Sequence, residues 1–278
     1  MSEAEIIKNT IKGPITLDSL KQDLLALGVK PGMILLVHSS LSAIGWVSGG
    51  AVAVIKALEE VLGPEGTLVM PTHSGDLSDP AEWSNPPVPE GWKETIRRTM
   101  PVFDPGMTPT RGMGKIPETF RNQAGALRSS HPHFSFTAYG KMARQLTRDH
   151  SLDFGLGENS PLGRVYEQGG WILLIGVGHD SNTSLHLAEY RAAYQTKKEI
   201  TQGAPLMIAG KRRWVPLKDY EEHSEEFPGI GKAYREKGGT VLEGKIGQAS
   251  SLLIPQRELV DFAVHWMEKN SSYGLESG

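Results

Sequence analysis

Residues 33–50 have the sequence MILLVHSSLSAIGWVSGG, and they set the architecture of the chain. Residues 33–37 form a short apolar run after a Pro-Gly turn, which is typical of a buried strand. An apolar pattern with helical spacing then runs from Val52 to Leu62, Gly63 ends it, and residues 67–70 again predict a strand. Two strands joined through a helix pair in parallel, so this unit predicts an α/β fold.

The sequence on either side extends this unit. A helix pattern over residues 17–27 precedes it, and the apolar run at 171–175 predicts a strand buried on both faces. Further helices are expected at 182–195 and 256–267, with short strands and an acidic loop between them. We therefore expect one α/β domain over residues 1–270, with a central mostly parallel sheet flanked by helices, followed by a flexible tail over 271–278.

Residues 71–117 carry scattered prolines among Trp, Gly and Asp. Proline restricts the unfolded chain, and loops of this length usually act as lids or binding walls. The segment predicts a long ordered loop without regular structure, and a disordered insertion is the alternative.

Composition excludes several classes of function. The 278 residues carry a formal net charge of -3, which provides no basic field for nucleic acid. No apolar run is long enough for a membrane helix, and the N-terminus lacks a signal core, so we expect a cytoplasmic protein with neither nucleic-acid nor membrane partners. The chain has no cysteine, which leaves His, carboxylates, Ser/Thr or a cofactor for any chemistry.

The loop from His38 to Gly50 is the first candidate binding element. Small residues between a strand and a helix start leave N–H groups and hydroxyls free to hold phosphate or amide oxygens. The loop has neither a Walker A nor a dinucleotide-binding pattern. It is equally compatible with a tight turn that binds no ligand.

His186 and Glu189 are the second candidate, because a spacing of three places both on one helical face just after the buried strand. A carboxylate bonded to one imidazole nitrogen leaves the other nitrogen as a base. A surface ion pair is the alternative.

The segment Ser129–Phe136, SSHPHFSF, is the third. Its His-x-His pair could bind a metal only with further ligands, and the alternation of Ser and Phe instead favours a polar strand lining a cofactor channel.

Several strings in order, among them VHSSLSAIGWVSGG, MGKIPETFR, RSSHPHFSF and NTSLHLAEYRA, resemble the aminoglycoside 3-N-acetyltransferase family from about residue 17 to about residue 265. The resemblance implies a fold distinct from Gcn5-like acetyltransferases, acetyl-CoA as cosubstrate, a small-molecule amine as acceptor, and His186 and Glu189 as the catalytic pair. It implies cofactor contacts from two segments: Ser39, Ser40, Leu41, Gly45, Trp46, Val47, Gly49 and Gly50, and Ser130, His131, Ser135 and Phe136.

Because acceptors in this family are polycations, carboxylates should line the acceptor site. The candidates are Asp76, Asp79, Glu82, Asp153, Glu158 and the acidic run from Asp219 to Glu226, from which Glu225 is chosen. No metal is expected. The proposed chemistry is direct transfer, in which His186 takes a proton from the amine as it attacks the thioester.

Two other functions compete with this one. A metal-dependent amide hydrolase would use His73, His131, His133 or His179 with a carboxylate. A non-catalytic CoA-binding protein of the same fold would bind CoA without turnover. The acceptor's identity and the oligomeric state stay open.

Overall fold

The computed structural model describes residues 2–11, 13–270 and 273. The strands are β1 (Ile34–Ser39), β2 (Thr67–Pro71), β3 (Leu127–Arg128), β4 (Phe136–Gly140), β5 (Trp171–Ile175), β6 (Glu199–Ile208), β7 (Lys211–Tyr220), β8 (Leu242–Ile246) and β9 (Ala249–Pro255). The helices are α1 (Glu3–Asn9), α2 (Leu17–Leu27), α3 (Leu41–Ile44), α4 (Gly50–Leu62), α5 (Glu90–Thr99), α6 (Lys115–Arg121), α7 (Ala143–Thr147), α8 (Pro161–Glu167), α9 (Ser184–Arg191), α10 (Phe227–Glu236) and α11 (Gln256–Lys269).

Within the described residues, seven strands form one sheet in the order β3-β4-β2-β1-β5-β9-β8. Strand β1 pairs in parallel with both β2 and β5. The outer pairs are antiparallel. The α/β class is therefore confirmed, with the parallel pairing confined to the three central strands.

The sheet separates two apolar cores. In β5, Ile172 and Leu174 face one core together with residues of α8, α9 and α11. Leu173 and Ile175 face the other, which α2, α4 and α6 cover. All four side chains are fully buried. This period-two alternation between two covered faces explains why the strand is a continuous apolar run.

The predicted loop over 71–117 contains a helix that the sequence did not indicate. Helix α5 has no buried residue, and Trp92 and Ile96 are its only large apolar residues, too few to indicate a helix in the sequence. The segment 129–135 also differs from expectation, because it is a turn between β3 and β4 rather than a strand.

Strands β6 and β7 form a separate two-stranded antiparallel sheet of ten-residue strands, longer than the short strands expected. The connecting residues Ala209 and Gly210 both have positive φ, as a tight hairpin turn requires.

At the C-terminus, Tyr273 does not fit a flexible tail, because its side chain is 1% exposed and hydrogen-bonded. The rest of the expected tail, 271–272 and 274–278, lies outside the described residues. Among the helices described, none is both long and apolar enough to span a bilayer.

Candidate functional site

The loop after β1 lies at the carboxyl edge of the parallel strands. Ser40 donates its backbone N–H to Ile175 at the end of β5, which fixes the start of α3. Trp46 is held from the N-terminal side of the chain: its backbone N–H donates to Thr10 Oγ1 at 2.8 Å and its indole N–H to Glu3 Oε1 at 3.2 Å. The loop therefore faces the segment that begins with α1.

A cleft of about 660 Å³ lies against this loop. The loop residues named from the sequence line it, apart from Gly49: Ser39, Ser40, Leu41, Gly45, Trp46, Val47 and Gly50. The opposite walls come from Glu3 and Ile6 of α1 and from residues 112–116. The sequence did not assign this last segment to the site, although part of it is the string MGKIPETFR.

Two features suit this cleft to a phosphate-bearing ligand. Helix α4 begins at Gly50 on its wall, and the N–H groups of a first helical turn have no intrahelical acceptor. Lys115 adds a cation on the facing wall.

His186 and Glu189 meet as predicted. His186 Nδ1 lies 2.6 Å from Glu189 Oε2, and both residues are buried, at 7% and 0% exposure. The other Glu189 oxygen, Oε1, accepts from the backbone N–H of His223 at 2.9 Å and from the Tyr273 hydroxyl at 2.6 Å. Glu189 is therefore fully engaged, and its contact with Nδ1 leaves the His186 Nε2 free to accept a proton.

Two carboxylates of the acidic run, Glu222 and Asp219, lie near His186. Glu222 Oε2 lies 3.8 Å from His186 Nε2, and 33% of the Glu222 side chain is open to solvent. Asp219 is 3% exposed and accepts from the Tyr190 hydroxyl and from the backbone N–H of Tyr220. Burial raises the pKa of Asp219.

Burial opposes the charged form of His186, but its acidic neighbours outweigh burial. Glu222 and Glu189 raise the pKa of His186 above its ordinary value, with a smaller contribution from Asp219. A nearby histidine behaves in the opposite way, since burial lowers the pKa of His38 to about 3 and His186 adds to that effect. His38 is therefore neutral, and His186 is the stronger base of the two.

A second cavity of about 290 Å³ joins His186 to the cleft beside the loop after β1. His38, Thr183 and His186 line it, and it shares Ser39, Gly112 and Met113 with the first cleft. Ser39 Oγ is buried there without a hydrogen-bond partner in the described part of the chain. A ligand in the cleft could thus reach the imidazole past Ser39.

The second expected cofactor segment makes internal contacts. His131 Nδ1 accepts from the backbone N–H groups of His133 and Phe134, and burial lowers the pKa of His131 well below its ordinary value. Ser135 Oγ donates to the Thr72 carbonyl, Phe136 is fully buried and Ser130 is exposed. None of Ser130, His131, Ser135 and Phe136 lines either cavity of the site, and their expected contact with the cofactor stays a prediction.

The carboxylates named from the sequence are held mostly by the protein's own groups. Asp76 pairs with Arg111, Asp79 with Arg97 and Glu158 with Arg191. Asp153 accepts from the Lys218 backbone, and Glu225 lies 3.6 Å from His223. The structure brings none of these five carboxylates into contact with His186.

Across residues 2–11, 13–270 and 273, no group of three or more His, Asp or Glu side chains is arranged to hold a metal ion. The metal-dependent alternative thus lacks a ligand set in this part of the chain.

Comparison with known proteins gives a consistent result. The model of the aminoglycoside 3-N-acetyltransferase family matches residues 36–268. The SPbeta prophage-derived aminoglycoside N(3')-acetyltransferase-like protein YokD of Bacillus subtilis is 50% identical over 95% of this chain and 96% of its own. Its crystal structure superposes with a TM-score of 0.94 at 48% identity, covering 98% of this chain and 100% of that one.

More distant relatives agree. Aminoglycoside N(3)-acetyltransferase VII of Streptomyces paromomycinus is 35% identical over 100% of this chain and 99% of its own. A solved structure of AAC-IIIb in a binary complex with CoASH is 32% identical with a TM-score of 0.82, covering 96% of this chain and 100% of that one. The chain belongs to the aminoglycoside 3-N-acetyltransferase family.

Proposed function

We propose that this enzyme transfers the acetyl group of acetyl-CoA directly to an amine of an aminoglycoside or a related polyamine-like molecule. One observation carries the proposal. His186, held at Nδ1 by Glu189, lines a cavity that meets the cofactor cleft at Ser39. A base so placed lies between a thioester in the cleft and an amine that approaches from the side of Glu222.

Acetyl-CoA occupies the cleft with its phosphates near the start of α4 and Lys115, and its thioester near Ser39. The CoASH complex of a relative with the same fold supports this cosubstrate. A cationic amine is held by Glu222, with Asp219 adding negative charge behind it. Within the acidic run, the proposed acceptor contacts are therefore Glu222 and Asp219 rather than Glu225.

The reacting amine enters in its neutral form, while the other amines of the polycation keep their charge. Its nitrogen attacks the thioester carbonyl carbon, and His186 Nε2 takes the proton that the nitrogen loses. The tetrahedral intermediate carries its negative charge on the former carbonyl oxygen, where the unpartnered Ser39 hydroxyl and loop N–H groups can donate to it. Collapse breaks the carbon–sulfur bond, and His186 returns the proton to the departing thiolate. The products are an amide and CoA, with no acyl-enzyme.

The test is release of free thiol from acetyl-CoA with a panel of amines. We expect turnover with a polyamine acceptor, and a fall in kcat of roughly 10²–10⁴-fold in His186→Ala, the usual size of general-base catalysis. His265→Ala is the matched control, because that imidazole lies on the exposed surface of α11.

Two results would contradict the proposal. CoA binding without turnover on any amine would favour the non-catalytic alternative. Near-normal kcat in His186→Ala would remove this residue as the base.

A further inference from the structure

Glu189 is hydrogen-bonded to a residue that lies 84 positions further along the chain. Tyr273 follows the end of α11, and its hydroxyl donates to Glu189 Oε1 at 2.6 Å. Both side chains are almost fully enclosed, at 1% and 0% exposure. A hydrogen bond to a carboxylate in such surroundings is much stronger than one in water.

The turn that carries Tyr273 is held on several sides. Its backbone N–H donates to Asn270, and its carbonyl accepts from the Thr196 hydroxyl at 2.6 Å. Its ring packs edge-on against Tyr194, with centroids 4.9 Å apart, and against Trp266. The hydroxyl therefore has a fixed position rather than a chance contact.

We propose that Tyr273 is a positioning residue, which holds Glu189 in the orientation that directs its other oxygen to His186 Nδ1. The inference rests on the proposed function, because it assigns Tyr273 a role in that reaction. Among the described residues, two donors reach Glu189 Oε1: the Tyr273 hydroxyl and the His223 backbone N–H. Without the hydroxyl, Oε1 keeps only one of these two hydrogen bonds.

Tyr273→Phe removes the hydroxyl and keeps the ring. We expect kcat to fall roughly 10-fold, the equivalent of one hydrogen bond to a charged group. A carboxylate that has lost a donor keeps more negative charge facing the imidazole, which favours the imidazolium. The pKa of His186 should therefore rise, and the rising limb of kcat/KM against pH should move to higher pH.

Glu189→Gln should shift the pKa of His186 in the opposite direction. It removes the charge that favours the imidazolium, so the pKa of His186 should fall and the limb should move to lower pH. The other charged or titratable groups around the pair are unchanged in both variants, so they cannot explain opposite shifts of the His186 pKa. These groups are His38, His73, Lys197, Asp219, Glu222 and His223.

Tyr194→Phe is the matched control. Tyr194 packs on the Tyr273 ring and is 9% exposed, yet its hydroxyl has no hydrogen-bond partner among the described residues. Removing this hydroxyl should leave kcat and the pH profile unchanged. A Tyr273→Phe enzyme with the wild-type profile would overturn the proposal, and so would an equal loss in both Phe variants, since that result would indicate a general packing effect.

A ¹⁵N-histidine NMR titration, with the His186 signals assigned from His186→Gln, measures the pKa of the His186 imidazole without requiring turnover. If His186→Ala kept its rate, the proposed function would fail, while this titration would still show whether Tyr273 acts on the pair. An unchanged His186 pKa in Tyr273→Phe would contradict the role proposed for Tyr273 and would leave the proposed function intact.

Discussion

At the scale of single residues, Glu222 is the proposed contact for the acceptor. Its carboxylate faces His186 Nε2 at 3.8 Å, whereas the Glu225 side chain is 70% exposed beside His223. Glu222→Gln should raise the KM for the amine about 10-fold or more, because a charge that meets the acceptor is lost. The KM for acetyl-CoA should stay near its starting value in steady-state kinetics.

The same substitution should change the pH profile. Glu222 is one of the neighbours that raise the pKa of His186, so its removal should lower that pKa and move the rising limb of kcat/KM to lower pH. Glu225→Gln is the comparison, since the sequence named Glu225 instead. A larger KM effect from Glu225→Gln than from Glu222→Gln would restore the original assignment.

The sequence was sufficient for one part of this site. His186 and Glu189 are three residues apart in one helix, so local spacing predicts their contact. Asp219 lies near the end of β7 and Glu222 just after it, so only the return strand of the hairpin brings them to His186. Nothing in the acidic run 219–226 indicates which carboxylates face inward.

At the scale of secondary structure, α1 is a wall of the cleft proposed for acetyl-CoA, and it contributes little to the core. It has no buried residue, and it reaches the loop after β1 through Glu3 and Ile6. Deleting residues 2–9 should therefore leave thermal unfolding close to that of the full chain. It should weaken CoA binding roughly 10-fold in calorimetry, about the loss of one good contact surface.

Trp46→Ala is the companion variant, because it removes the side chain that α1 holds. Val at Gly49 or Gly50 would be a poorer probe, since both have positive φ and a β-branched residue would be strained there with or without CoA. Unchanged CoA affinity in the deletion would show that α1 does not contact the cofactor.

Buried elements were the predictable ones. The alternation in β1, β2 and β5 and the apolar pattern of α4 reflect two covered faces, so their periodicity is strong. Helix α5 and the hairpin β6–β7 are largely exposed, and exposure leaves little pattern in the residue types. The Ala209–Gly210 turn was a weak local signal for the hairpin.

At the scale of the whole molecule, the charge of the protein affects the binding of the two substrates differently. The net charge of -3 and the carboxylates near His186 attract a polycation. For anionic acetyl-CoA the net charge opposes binding while Lys115 and the start of α4 favour it, so the two effects partly cancel.

Raising the ionic strength should therefore raise the KM for the amine more than the KM for acetyl-CoA, as the Debye length falls from about 30 Å at 0.01 M to about 8 Å at 0.15 M. The measurement varies salt with the second substrate saturating in each case. Glu222→Gln is the internal control, because a site with one fewer charge should give a shallower dependence for the amine. An amine KM that does not change with salt would indicate an uncharged acceptor, and would argue against aminoglycosides as the substrate of this enzyme.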